Sequence, residues 1–183
     1  MMRTKMLPAG LLCAAAAWAM GGGLATAHTT ADPDEAPAGQ SLRTAFRVTH
    51  GCKGSPTTAL TIRMPKGVIQ AKPMPKPGWQ IEIKTTPLDK PVAGMHGVTI
   101  KQAVTEVTWS GGRLENAQYD EFVLLISLPN QPGETLYFPT TQKCEVGTNN
   151  WTMIPAAGQS PHDLAEPAPF IRLRGGEDHQ HHH

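Results

Sequence analysis

The sequence is poor in aromatic residues, in charge and in cysteine. Phe, Tyr and Trp make up 5% of its 183 residues, so a core must be filled largely by Val, Ile, Leu and a few tryptophans. Lys and Arg number 16 against 15 Asp and Glu, for a formal net charge of +1. With no basic run in the body of the chain, the electrostatic footprint of a nucleic-acid binder is excluded. No segment carries a three-turn apolar stripe, which argues against a helical bundle. Cys-x-x-Cys, phosphate-loop and His-Glu-x-x-His patterns are missing, and with them the common redox, nucleotide and zinc-hydrolase signatures. What the chain has in plenty is punctuation. Its 18 Gly and 17 Pro suit many short strands and turns, and its length suits one domain.

Residues 1–27 answer a separate requirement. Arg3 and Lys5 precede an apolar stretch at 11–20, and Ala25-Thr26-Ala27 forms an A-x-A processing site. The stretch is too short for a dependable membrane span, so the segment reads as a cleaved secretory signal peptide. Cys13 follows two leucines and lies upstream of that site, so it does not read as a lipidation site. Cleavage after Ala27 removes Arg3 and Lys5, takes the formal charge from +1 to −1, and makes His28 the amino terminus. Only Cys52 and Cys144 then remain, 92 residues apart. In an oxidising compartment, the periplasm or the extracellular side of the envelope, such a pair is expected to form a disulfide. It would restrain the unfolded chain by roughly 4–5 kcal/mol in the loop-entropy model. A reduced soft-metal pair for Cu(I) is the alternative.

The mature chain alternates with period two. Leu42, Thr44, Phe46 and Val48 read as one strand, as do Leu60, Ile62 and Met64, and Trp79, Ile81 and Ile83. Val98 and Ile100, Val107 and Trp109, Phe122 to Leu128, Leu136 and Phe138, and the region of Trp151 and Met153 supply the rest. Lys72 to Gly78 and Ser110-Gly111-Gly112 read as turns, and residues 113–121 as a helical turn or an ordered loop. Residues 156–170 read as an extended surface segment, with an edge strand at Phe170, Ile171 and Leu173. Seven or eight strands divided by Pro and Gly predict an all-β antiparallel sandwich, immunoglobulin- or cupredoxin-like, over residues 28–173. Residues 174–183 form a flexible tail in which His179, His181, His182 and His183 are expected to hold Zn, Cu or Ni weakly.

Processing turns His28 into a chelating group. The terminal amine titrates near about 8 and the imidazole near about 6.5, so both offer lone pairs close to neutral pH. Together with Nδ1 the amine closes a chelate ring suited to Cu(II), which takes nitrogen donors in a tetragonal plane. Further donors must come from elsewhere in the chain or from water.

The sequence resembles the YcnI-like copper-binding domain family over nearly all of residues 28–173. The resemblance rests on Ala27 followed by His28, Ala38-Gly39 ahead of Phe46-Arg47-Val48, and His50-Gly51-Cys52 with Ser55-Pro56-Thr57. It continues through Pro65-Lys66-Gly67-Val68, Lys76-Pro77-Gly78-Trp79, Trp109 to Gly112, Tyr119-Asp120-Glu121-Phe122 and Gly147 to Trp151. It implies a β-sandwich with copper held in a single-histidine brace. His28 maps onto the amine and imidazole, Trp151 onto the tryptophan beside the metal, and Glu121, with Asp120 behind it, onto an expected carboxylate. Thr29 replaces the Val that commonly follows the terminal His, and His50-Gly51-Cys52 with Cys144 marks one branch of the family.

Other residues have plainer readings. His50 is expected to hydrogen-bond loop backbone before it is considered as a ligand, and His96 and His162 read as solvent-facing or structural. Asp32, Asp34 and Glu35 bring negative charge near the terminus, while Trp79 and Trp109 belong to packing. The expected function is an exported Cu(II)-binding protein of copper handling, a chaperone, buffer or sensor, and not an enzyme. Its expected partners are the copper ion and a copper-delivery protein of the envelope, with no nucleic acid and no transmembrane segment after cleavage. A copper-dependent oxidative enzyme and a metal-independent sandwich module for a protein or cell-surface ligand are the alternatives.

Overall fold

The computed structural model describes residues 28–94 and 98–175; the expected signal peptide, His96 and the tail histidines lie outside the described residues. In chain order the strands are β1 (Thr30–Asp32), β2 (Glu35–Pro37), β3 (Ser41–Val48), β4 (Thr57–Arg63), β5 (Ala71–Pro73) and β6 (Gln80–Ala93). They continue as β7 (Thr99–Leu114), β8 (Asp120–Ser127), β9 (Thr135–Tyr137), β10 (Thr140–Cys144), β11 (Thr148–Trp151) and β12 (Phe170–Arg174). Three sheets result, ordered β1-β3-β8-β5, β11-β10-β4-β7-β6 and β2-β12-β9.

The alternating residues dictate the core. Phe46 of β3 lies opposite Phe122 of β8, and in the five-stranded sheet Leu60 lies opposite Trp109 and Ile62 opposite Val107. All six are fully buried. The inner faces meet where Trp109 stands edge-on to Phe122 at 5.5 Å, while Phe46 meets Phe138 at 5.4 Å. Each such pair adds about 0.5–1.5 kcal/mol beyond its buried area, which is how a chain with few aromatics stabilises a sandwich. The protein is an all-β, predominantly antiparallel, immunoglobulin-like sandwich.

Several expectations are corrected. The strands number twelve among the described residues, because β1, β2 and β5, of three residues each, are too short to display alternation and β10 buries polar residues at its alternate positions. Ser110-Gly111-Gly112 is no turn; it lies inside β7, where the register against β4 jumps from Ala59↔Ser110 to Thr57↔Leu114. Gly111 takes a φ of 79° there, and a Cβ on Gly112 would collide with the Trp79 ring. The glycines thus make a bulge that lets Trp79 lie against β7 and reach Phe122 edge-on at 5.0 Å. Residues 115–119 are a loop containing a turn, with the Gln118 N–H donating to the Glu115 carbonyl.

Phe170, Ile171 and Leu173 do not form an edge. β12 runs parallel to β2 on one side and antiparallel to β9 on the other, because its Ile171 and Leu173 are core residues. One edge of the large sheet, β6, is mostly exposed and carries Pro87 and Pro91 among charged residues, which blunts further strand pairing. No helix among the described residues is long and apolar enough to cross a membrane.

Candidate functional site

Four segments distant in sequence meet around His28. The buried Thr29 and the pairing of β1 with β3 fix the chain directly after His28. Trp151, the last residue of β11, lies opposite Thr140 of β10 and is 5% exposed. Its indole stands edge-on to the His28 ring, with centroids 5.8 Å apart and planes at 86°. His50 approaches the same indole at 6.0 Å and 78°.

His50 is placed by the loop that follows β3. Gly51 donates its N–H to the Asn116 side chain at 3.1 Å, and Cys52 and Ser55 exchange backbone hydrogen bonds. A Cβ on Gly51 would overlap the Ser55 carbonyl, so this tight turn requires glycine. The turn is anchored by the disulfide between Cys52 and Cys144, whose Cα atoms are 5.9 Å apart. His50 Nδ1 lies 2.6 Å from the Gly51 carbonyl, the backbone hydrogen bond expected of it.

Gln142, fully buried on β10, ties these parts together, and hydropathy gave no signal of it. Its Nε2 donates to the His50 carbonyl and to the Thr57 hydroxyl, both at 2.7 Å. Its Oε1 accepts from the Trp151 indole at 3.0 Å and from Asn149 at 3.1 Å. All its amide capacity is used, and the Trp151 ring is held as a rigid wall. The His50-Gly51-Cys52 block, with an amide-bearing residue two positions ahead of Cys144, was the available clue.

His162 completes the surroundings. It sits on the 3-10 turn Pro161–Asp163, where Ser160 accepts from the His162 N–H and Asp163 accepts from the Ser160 N–H. His162 and His28 line one cavity of about 280 Å³, together with Asp34 and Arg172. The His28 pKa is lowered from 6.5, first by burial and then by the charges of His162 and His50, against the opposing pull of the Ala165 carbonyl. Burial therefore favours its neutral ring, the ligating form. His28 Nε2 is buried without a hydrogen-bond partner among the described residues.

Asp34 lines this cavity, and Glu121 and Asp120 lie elsewhere. Glu121 stands in register with Arg47, which in turn stands opposite Thr30. Arg47 binds Glu121 at 3.3 Å and also pairs with Asp32. Asp120 pairs with Lys76 at 2.6 Å. Asp34 and Glu35 face Arg172 at 3.5 and 3.7 Å. The structure thus brings His28 and Trp151 together and sets Glu121 in an ion pair outside the lining of the cavity beside His28. Among the described residues, no three His, Cys, Asp or Glu side chains converge closely enough to hold a metal ion unaided.

Over residues 28–173 the chain matches the family described as Domain of unknown function (DUF1775). Among solved structures it is similar to an uncharacterized protein from Nocardia farcinica with an immunoglobulin-like fold. The two share 32% identity over 80% of this chain and 98% of that one, with a TM-score of 0.61. A cohesin of Acetivibrio cellulolyticus scaffoldin B, solved with a Cel5 dockerin mutant, aligns at 9% identity over 80% of this chain and 98% of that one, with a TM-score of 0.40. No curated protein matches the chain.

Proposed function

The chain belongs to the DUF1775 family, and from that premise we propose that it is an exported Cu(II)-binding protein of copper handling, a chaperone, buffer or sensor. His28, freed at its amine by cleavage behind Ala27, is the anchoring residue. The observation that carries this reading is the placing of its ring, unpartnered at Nε2 among the described residues and set against the edge of Trp151, with burial favouring the neutral form. Copper, when bound, supplies a centre that prefers nitrogen donors in a plane. Trp151, fixed by Gln142, excludes water from one side of His28, and a dry wall strengthens the interactions of a bound cation. The resemblance to YcnI-like copper proteins supports the same assignment. The disulfide supports export, since such bonds persist in oxidising compartments.

The test uses the chain beginning at His28 with His179, His181, His182 and His183 replaced by Ala. Cu(II) titration followed by electron paramagnetic resonance is expected to give one defined site per chain. That site is lost in His28→Ala and disrupted by one extra residue ahead of His28. Trp151→Phe is expected to alter its spectrum or affinity, and Glu121→Gln reports whether the carboxylate held by Arg47 takes part. Unchanged stoichiometry and spectrum in His28→Ala would refute the assignment. A second reading, a metal-independent sandwich module that binds a protein or cell-surface ligand, is favoured by the missing three-donor cluster among the described residues. It predicts no stoichiometric copper on the same tail-substituted chain.

A further inference from the structure

The ring of His162 has no structural task in the fold. The capping of its turn uses the His162 backbone N–H, the Ser160 hydroxyl and the Asp163 carboxylate, and no hydrogen bond to the imidazole itself is made among the described residues. The reciprocal cap and Pro161 nevertheless fix the turn that carries it. His162 lines the same cavity as His28. His50 differs, because its Nδ1 already meets the Gly51 carbonyl.

We propose that His162 is a second imidazole ligand to the Cu(II) anchored at His28, reaching it from the Pro161–Asp163 turn, a departure in this chain from the single-histidine brace that the resemblance implies. This rests on the copper reading above. The His28 amine and ring fill two positions of a tetragonal plane, and the remaining positions need donors from elsewhere. His162 is the uncommitted nitrogen donor that shares the cavity. That no three such side chains converge among the described residues is then expected, because one of the three donors is the backbone amine released by processing. His162 is exposed, which places a ligand where cargo enters and leaves.

The experiment counts imidazoles. Pulsed electron paramagnetic resonance on the Cu(II)-loaded chain that begins at His28, with the four tail histidines replaced by Ala, reads the remote nitrogens of coordinated rings. Two coordinated imidazoles are expected in that chain and one in His162→Ala, with the Kd for Cu(II) raised by about tenfold to a hundredfold. His50→Ala is expected to keep two. Thermal melting of apo His162→Ala should match that of the parent, since its ring supports no other contact. A single imidazole in the parent chain, or a His162→Ala variant with unchanged Kd, overturns the role of His162 and leaves His28 standing as the anchor. Loss of the second imidazole in His50→Ala instead of His162→Ala also overturns it. A parent chain that takes up no stoichiometric copper removes the His28 reading as well, a result distinct from all the others.

Discussion

Replacing Gln142 with Leu keeps a side chain of similar size and removes every polar contact at the centre of the site. The buried Trp151 indole N–H and the His50 carbonyl lose their partner, while the Thr57 hydroxyl loses Gln142 and keeps the Cys144 Sγ at 3.9 Å. Asn149 is only half-buried and can turn to water. A buried polar group left unsatisfied costs about 1–3 kcal/mol, and the added apolar burial of Leu offsets roughly 1–2 kcal/mol. Gln142→Leu is therefore expected to destabilise the protein by about 2–4 kcal/mol. Guanidinium unfolding with the disulfide intact, followed by tryptophan fluorescence, measures this at unchanged m-value. Gln142→Glu adds a sign. Burial raises the pKa of the new carboxyl, so the folded state keeps a proton that the unfolded chain releases above about 4.3. Stability should then fall as pH rises from about 4 towards the raised folded value and level off beyond it. A loss below about 1 kcal/mol in Gln142→Leu, or no pH dependence relative to the parent in Gln142→Glu, would refute the reasoning that Gln142 is a satisfied buried hub.

The exported chain should weigh about two hydrogens less than its dithiol form, and the double Cys52→Ala, Cys144→Ala variant should lose roughly 4–5 kcal/mol against the oxidised parent in denaturant titration. Because the folded pKa of His28 lies below 6.5, the unfolded state binds the extra proton between the two values. The stability linked to His28 is thus full above 6.5 and declines as pH falls towards the folded value. His28→Phe should flatten that part of the pH–stability curve, and an unchanged slope would remove burial as the cause. Ile171→Ala should cost about 2–5 kcal/mol in the same unfolding assay, since Ile171 is fully buried in a central strand; an edge strand would lose far less.

The long strands of the sandwich were legible because their apolar residues repeat every second position, as in β3, β4 and β8. β10 was not, since its buried positions include Thr140, Gln142 and Cys144. Thr and Gln enter a core only when partners await them, and those partners, Thr57, His50 and Trp151, lie 85, 92 and 9 residues away. A pattern within one segment cannot display a bond made by another. The same limit applies to the site. His28 stood out through the processing point, and Trp151 through resemblance. His162 read as a solvent-facing or structural residue because only the tertiary fold carries its turn to the cavity. Glu121, chosen from a matching block, stands in register with Arg47, a cross-strand neighbour that no linear motif reveals.

The parallel pairing of β2 with β12 has a bearing on the order in which the molecule can be completed. β2 has no other strand partner, so the second strand after His28 waits for nearly the last described one. A ribosome delivers His28 well before residues 161–174, and those later residues also furnish His162, Pro167 and Arg172 to the cavity beside it. A nascent chain therefore displays its histidine on an unfinished surface, and a proteolytic cut ahead of Phe170 would return it to that condition. The pocket is a certificate of synthesis through β12: a chain made to that strand, and kept intact, is the one that encloses His28.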